Sequence, residues 1–143
     1  MRHPLRSRTA SRFALAIALP ALMLAPASRA QTAPPDPIVA ALFTQALADA
    51  PGKEVLMLKV TYPPGGADPV HRHDAHGFIY VLDGEIVMGV RGGQEVHLKP
   101  GETFYEGPHD VHTVGRNASQ TRPASFVVML IKQQGVQPVL PAH

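Results

Sequence analysis

From Lys53 to Lys132 the chain is punctuated so regularly by glycine and proline that no long helix fits between the stops. The stops are Pro63-Pro64-Gly65-Gly66, Asp83-Gly84, Gly92-Gly93, Pro100-Gly101 and Gly107-Pro108. Between them lie Val55–Tyr62, Phe78–Leu82, Glu85–Val90, Glu95–Lys99, Thr103–Glu106, Val111–Gly115 and Ser125–Lys132, short runs rich in β-branched and aromatic residues. Such runs, with a turn about every eight to twelve residues, predict an all-β sandwich or barrel. A length of 143 residues suits one domain, and 45% apolar against 17% charged residues is enough to close a core. The chain has no cysteine, which removes disulfides, thiolate metal sites and thiol nucleophiles. Chemistry must come from histidine, carboxylates, tyrosine or a bound ion.

The segment before this pattern reads differently. Met1–Arg12 is basic, Phe13–Ala25 is apolar, and Pro26–Ala30 is a small-residue stretch ending Ser28-Arg29-Ala30. That layout is a secretory signal peptide over 1–30, with cleavage expected between Ala30 and Gln31. The apolar run is shorter than the roughly 20 residues that span a bilayer, and Pro20 interrupts it. The expected product is periplasmic or secreted, with no membrane attachment after cleavage. Removing the leader leaves eight Lys+Arg against eleven Asp+Glu, a net charge of −3, so the basic balance that nucleic acid requires is gone. Residues 31–52 form an extension. Asp36-Pro37 resembles a helix start, Ile38, Ala41, Leu42 and Ala46 recur at helical spacing, and Pro51-Gly52 is a stop. A short helix to about Asp49 is expected there. Residues 53–132 form the domain, and 133–143 read as a flexible tail.

Six of the eight histidines lie between positions 71 and 112. Alternate residues of a strand share a face, so His71 and His73 project together and can ligate one ion. The third imidazole must come from a distant strand, and His112 follows a turn in an apolar run. A solvated histidine-rich loop is the competing reading of an isolated His-x-His triplet.

Gly65-x5-His71-x-His73 followed by Phe78-Ile79-Tyr80-Val81-Leu82-Asp83-Gly84 resembles the first motif of the cupin superfamily, G-x5-H-x-H-x3-4-E-x6-G. Gly101-x5-Gly107-Pro108-His109-Asp110-Val111-His112 resembles the second, G-x5-P-x-G-x2-H-x3-N. The resemblance, to small single-domain cupins, covers about Lys53 to Lys132. It implies a double-stranded β-helix, or jelly-roll barrel, with a divalent metal (Fe, Mn, Zn, Ni or Cu) inside one mouth on His71, His73 and His112. The departures bear on function. The family's glutamate ligand falls on Gly77, and the neighbouring His76 reaches the metal only if the strand bulges. The asparagine position holds Arg116, with Asn117 next door. That asparagine also opens Asn117-Ala118-Ser119, a glycosylation triplet.

Without that glutamate the site is more positive by one unit, which favours an anionic ligand. Glu106 is a candidate substitute carboxylate or general base, and Tyr80 and Tyr105 are candidate cavity-wall residues, with Glu106 and Tyr80 the catalytic candidates. Three histidines leave open positions on an ion, as catalysis or ligand capture requires. One expectation is a metal-dependent enzyme acting on a small oxygen-rich organic molecule. Resemblance to cupins suggests dioxygenase-like chemistry first, with isomerase or lyase chemistry behind it. The other is a non-catalytic module that captures a small ligand or metal outside the cytoplasm. An exposed jelly-roll edge also makes a homodimer a candidate assembly.

Overall fold

The computed structural model describes residues 32–142. The leader and its cleavage point at Ala30 lie outside the described residues. Ten strands and no helix are found among the described residues: β1 (Ile38–Ala46), β2 (Lys53–Tyr62), β3 (His71–Arg72), β4 (Ala75–Asp83), β5 (Ile86–Val90), β6 (Val96–Leu98), β7 (Thr103–Glu106), β8 (Val111–Asn117), β9 (Ala124–Gln133) and β10 (Leu140–Pro141). They form two five-stranded antiparallel sheets, ordered β1-β2-β9-β4-β7 and β10-β3-β8-β5-β6. All seven runs legible between the turn signals are strands. Their alternation is the reason: β9 buries Ala124, Phe126, Val128, Leu130 and Lys132 and turns the intervening residues outward.

The two inner faces meet over Tyr62, Val81, Ile86, Met88 and Leu130, the largest fully buried side chains. Each contributes about 1.5–3 kcal/mol of burial. The Asp83-Gly84 turn at the end of β4 has Gly84 at φ +70°, and a Cβ there would lie 2.7 Å from the Pro123 carbonyl oxygen. Only glycine satisfies both conditions. Asn117 is buried and ties three segments together. Its amide donates to the carbonyls of Pro63 and Arg122 at 2.9 and 2.8 Å, and its oxygen accepts the Ser119 N–H. An asparagine so engaged is closed to glycosylation in the folded chain.

The extension departs from expectation. Ile38–Ala46 is a strand, not a helix. It pairs antiparallel with β2 through eight partners, from Ile38↔Thr61 to Ala46↔Glu54, with a bulge between Ala41 and Phe43. Helical spacing signals a buried stripe, but every residue of this segment is exposed, so the stripe that would hold a helix against the domain is not buried. The open edge of β2 offers backbone partners instead, and ladder hydrogen bonds override the local pattern. The tail also differs from expectation, because β10 pairs with β3, Pro141 opposite His71.

Candidate metal centre

The cluster is assembled from two neighbouring strands of one sheet and the short segment that follows one of them. His71 in β3 is the registered partner of His112 in β8, and His73 follows in the short segment leading to β4. All three are buried, and one nitrogen from each lies within 4.8 Å of the other two. His71 Nε2 is 3.1 Å from His73 Nε2 and 3.4 Å from His112 Nδ1. Nitrogens bound about 2.1 Å from one ion stand roughly 3.0–3.4 Å apart, so both contacts have ligand spacing.

The outward nitrogens of His71 and His73 determine what faces the gap between those two rings. His71 Nδ1 is 2.8 Å from the Pro69 carbonyl, and His73 Nδ1 bonds the Pro138 carbonyl in the tail. A carbonyl only accepts, so each Nδ1 carries the proton and each Nε2 of a neutral ring presents a lone pair. Two lone pairs facing each other at 3.1 Å repel unless a proton or a metal cation lies between them. Backbone carbonyls fixing the outer nitrogen are the usual way metal-binding imidazoles are oriented. The donor set therefore fits a divalent ion.

The missing carboxylate has come from across the sheet. Gly77 in β4 is the registered partner of Glu106 in β7. A Cβ on Gly77 would lie 2.8 Å from Glu106 Cγ, so the Glu106 side chain fills the space a residue at 77 would occupy. Its Oε1 is 3.3 Å from His73 Nε2 and its Oε2 is 3.8 Å from His112 Nδ1. Burial pushes the Glu106 carboxyl up, but His73, His112 and His71 together outweigh it and hold it below the usual carboxylate range. For His73, burial pushes the ring down, and Glu106, the Pro138 carbonyl and Asp68 more than reverse this. Burial dominates at His112, whose affinity for a proton is lowered despite Glu106. His112 Nε2 is buried without a hydrogen-bond partner, a cost of about 1–3 kcal/mol that the fold carries to aim Nδ1 at the cluster.

Three of the residues singled out in the sequence lie elsewhere. His76 is exposed on the outer face of β4, where Nδ1 bonds the Tyr105 hydroxyl at 2.8 Å. Tyr80 is on the same outer face and 48% exposed, so it does not line the cavity, and neither does Tyr105. The ladder at Gly77 is unbroken, so the bulge that His76 would need is absent and strand parity decides both positions. Pro138 and Asp68 had drawn no attention in the sequence. Pro138 contributes a carbonyl, which any residue has, and only Asp68, three residues before His71, carried a readable side chain.

Beside the cluster is a cavity of about 260 Å³. Its walls are Leu58, Val60, Ile79, Phe126, Val128 and Leu130, with Val39 of β1 and Val139 of the tail also lining it. The space is apolar apart from the cluster and Asp68.

A family model described as "Cupin domain" matches residues 58–130. Auxin-binding protein T85 from Nicotiana tabacum is 31% identical over 43% of this chain, which spans only 38% of that protein. Oxalate oxidase in complex with the substrate analogue glycolate superposes with a TM-score of 0.55 at 27% identity, over 73% of this chain and 54% of that one. DMSP lyase DddQ from Ruegeria pomeroyi DSS-3 gives 0.53 at 26% identity, over 60% and 42%. The chain thus spans less than two thirds of each of these relatives. The family match runs through both motifs and the two paired sheets that carry them, and the chain belongs to the cupin domain family.

Proposed function

We propose that this cupin is an exported metalloprotein that holds one divalent cation on His71, His73 and His112, with Glu106 as a fourth ligand, and works on a small organic molecule in the adjoining cavity. The observation that carries the reading is the facing pair of imidazole lone pairs, closed on one side by a carboxylate that has replaced the side chain Gly77 lacks. A bound ion would supply Lewis acidity and coordination positions left open by the four side chains. The chain's own groups do the rest. The Pro69 and Pro138 carbonyls hold the rings in one tautomer, Glu106 lowers the net charge of the site and accepts a proton or a metal bond, and the apolar walls exclude water.

Three imidazoles and a carboxylate suit Fe, Mn, Zn, Ni or Cu. Dioxygenase-like chemistry is the first reading. The similarity to an oxalate oxidase and a DMSP lyase supports catalysis on a small molecule in general. The alternative, non-catalytic capture of a small ligand, draws support from the similarity to an auxin-binding protein and from the apolar cavity. The exposed Phe78, Tyr80 and Tyr105 on one sheet face, at the open edge formed by β7, support a homodimer.

Metal analysis of the purified protein tests the first step. One equivalent is expected in wild type, and far less in His71→Ala and His112→Ala. Wild type that takes up no metal under any loading sinks the reading. Oxygen consumption by the Fe(II)-loaded protein with aromatic diols and diketones then separates the two functions. Uptake supports the enzyme, whereas ligand affinity without uptake supports capture. Export is tested by fractionating cells and sequencing the mature N-terminus, expected at Gln31.

A further inference from the structure

Outside the metal cluster, the cavity is lined by one polar side chain among the described residues, Asp68. A carboxylate beside apolar walls is costly unless hydrogen bonds compensate it. Its place is tightly fixed. The Asp68 N–H donates to the Gly115 carbonyl at 2.8 Å, and the preceding residue, Ala67, bridges to Arg116. Oδ2 accepts the hydroxyl of Tyr62, a fully buried ring whose deprotonation burial and Asp68 both oppose, so Tyr62 remains a donor. Oδ1 takes no donor from the described residues.

Gly115 shows how closely this pair approaches the cluster. A Cβ there would lie 2.7 Å from Asp68 Oδ2, 2.8 Å from the Tyr62 hydroxyl oxygen and 2.9 Å from His112 Cε1. Its φ is not positive, so the backbone does not demand glycine. What the position requires is space, because the acid, the phenol and the metal-facing imidazole converge on it. Charge points the same way. With a divalent ion in place, Glu106 and Asp68 together offset its two positive charges, so a further negative charge on the ligand is no longer favoured. What the site lacks is a hydrogen-bond donor for Asp68.

Resting on the metal reading above, we propose that Asp68, positioned by Tyr62, selects the ligand by accepting a hydrogen bond from its hydroxyl. The ligand class is an uncharged molecule with an apolar body and two adjacent hydroxyls, one directed to the metal, where a methyl ether is a weaker and more crowded donor, and one giving its proton to Asp68. Catechol is the simplest probe, and guaiacol, its monomethyl ether, lacks one of the two protons.

Asp68→Asn discriminates recognition from mere anchoring. An amide oxygen can still accept the Tyr62 hydroxyl, but the other end of the side chain becomes a donor and cannot accept from the ligand. Calorimetric titration of the full-length Zn(II)-loaded protein with each phenol reads the preference. Wild type should bind catechol at least tenfold more tightly than guaiacol, and Asp68→Asn should lose about tenfold of that preference while keeping its zinc. An unchanged preference in Asp68→Asn overturns the proposal and leaves Asp68 as a loop anchor. Should the variant fail to fold, a crystal structure of the zinc protein with catechol decides: a hydroxyl within hydrogen-bond distance of Oδ1 supports the proposal, and one beyond 4 Å overturns it. Zinc content measured before titration keeps the two readings apart. Wild type without zinc overturns both, and zinc-loaded wild type without a preference overturns this one alone.

Discussion

Strands β4 and β7 present two faces that break the usual rule for a half-buried sheet in opposite senses. The inner face, among the core residues, carries an ionised Glu106 against buried histidines. The outer face carries Phe78, Tyr80 and Tyr105, exposed by 40, 48 and 51%. An ordinary antiparallel sheet would bury the rings and expose the acid. The inversion shows that neither face is shaped by stability alone. Inside, the cost of a buried carboxylate is offset by three imidazoles that share it; outside, flat aromatic surface is left uncovered in the single chain.

The sharpest way to break this comparison is to change one residue on each face. His71→Ala should lower metal affinity by roughly 100-fold or more, since loss of a ligand exceeds the 10–100-fold typical of its supporting groups. His76→Ala, on the outer face, should leave it unchanged; competition with a chelator measures both. Next comes Gly77→Ala, whose methyl meets Glu106 Cγ at 2.8 Å. A cost of about 1–3 kcal/mol is expected in denaturant unfolding, and it should largely vanish in the Glu106→Ala background.

Acidity sharpens the inner face further. In metal-free protein, the stability difference between wild type and Glu106→Gln reports the Glu106–His73 pair. Glu106 is held below its ordinary 4.5, so its contribution is present above that value and lost as pH falls through the lowered pKa. His73 is held above its ordinary 6.5, so its share is complete below 6.5 and lost as pH rises through the raised value. The difference should therefore be largest between these limits, as followed by urea melts across pH. The smallest effect is expected outside. Tyr80→Thr should change the stability of the single chain by only about 0.5 kcal/mol and leave metal binding intact. It should weaken self-association in sedimentation if the aromatic face meets a second copy.

Much of the fold was legible because its signals are local. Turn residues stop strands wherever they occur, and His71 and His73 share a face by the period of the strand. His112 was found through motif spacing. Three features were hidden for identifiable reasons. The strand at Ile38–Ala46 has helical spacing, and only the free edge of β2 selects the extended form. The tail's part in the site rests on the Pro138 carbonyl and the β10–β3 pairing, which no side-chain pattern announces. Glu106, a candidate carboxylate, and Tyr80, a candidate cavity-wall residue, are separated by the register, Tyr80 facing out and Glu106 in.

The sequence by itself determined the all-β class, the turns and the same-face pair His71 and His73, because each depends on residues close along the chain. Only the tertiary structure decided that the carboxylate missing at Gly77 is supplied by Glu106, and that Asp68 and Tyr62 close on His112. Those contacts join residues 29, 44 and 50 positions apart, and what brings them together is the pairing register of strands, not anything in the residues themselves.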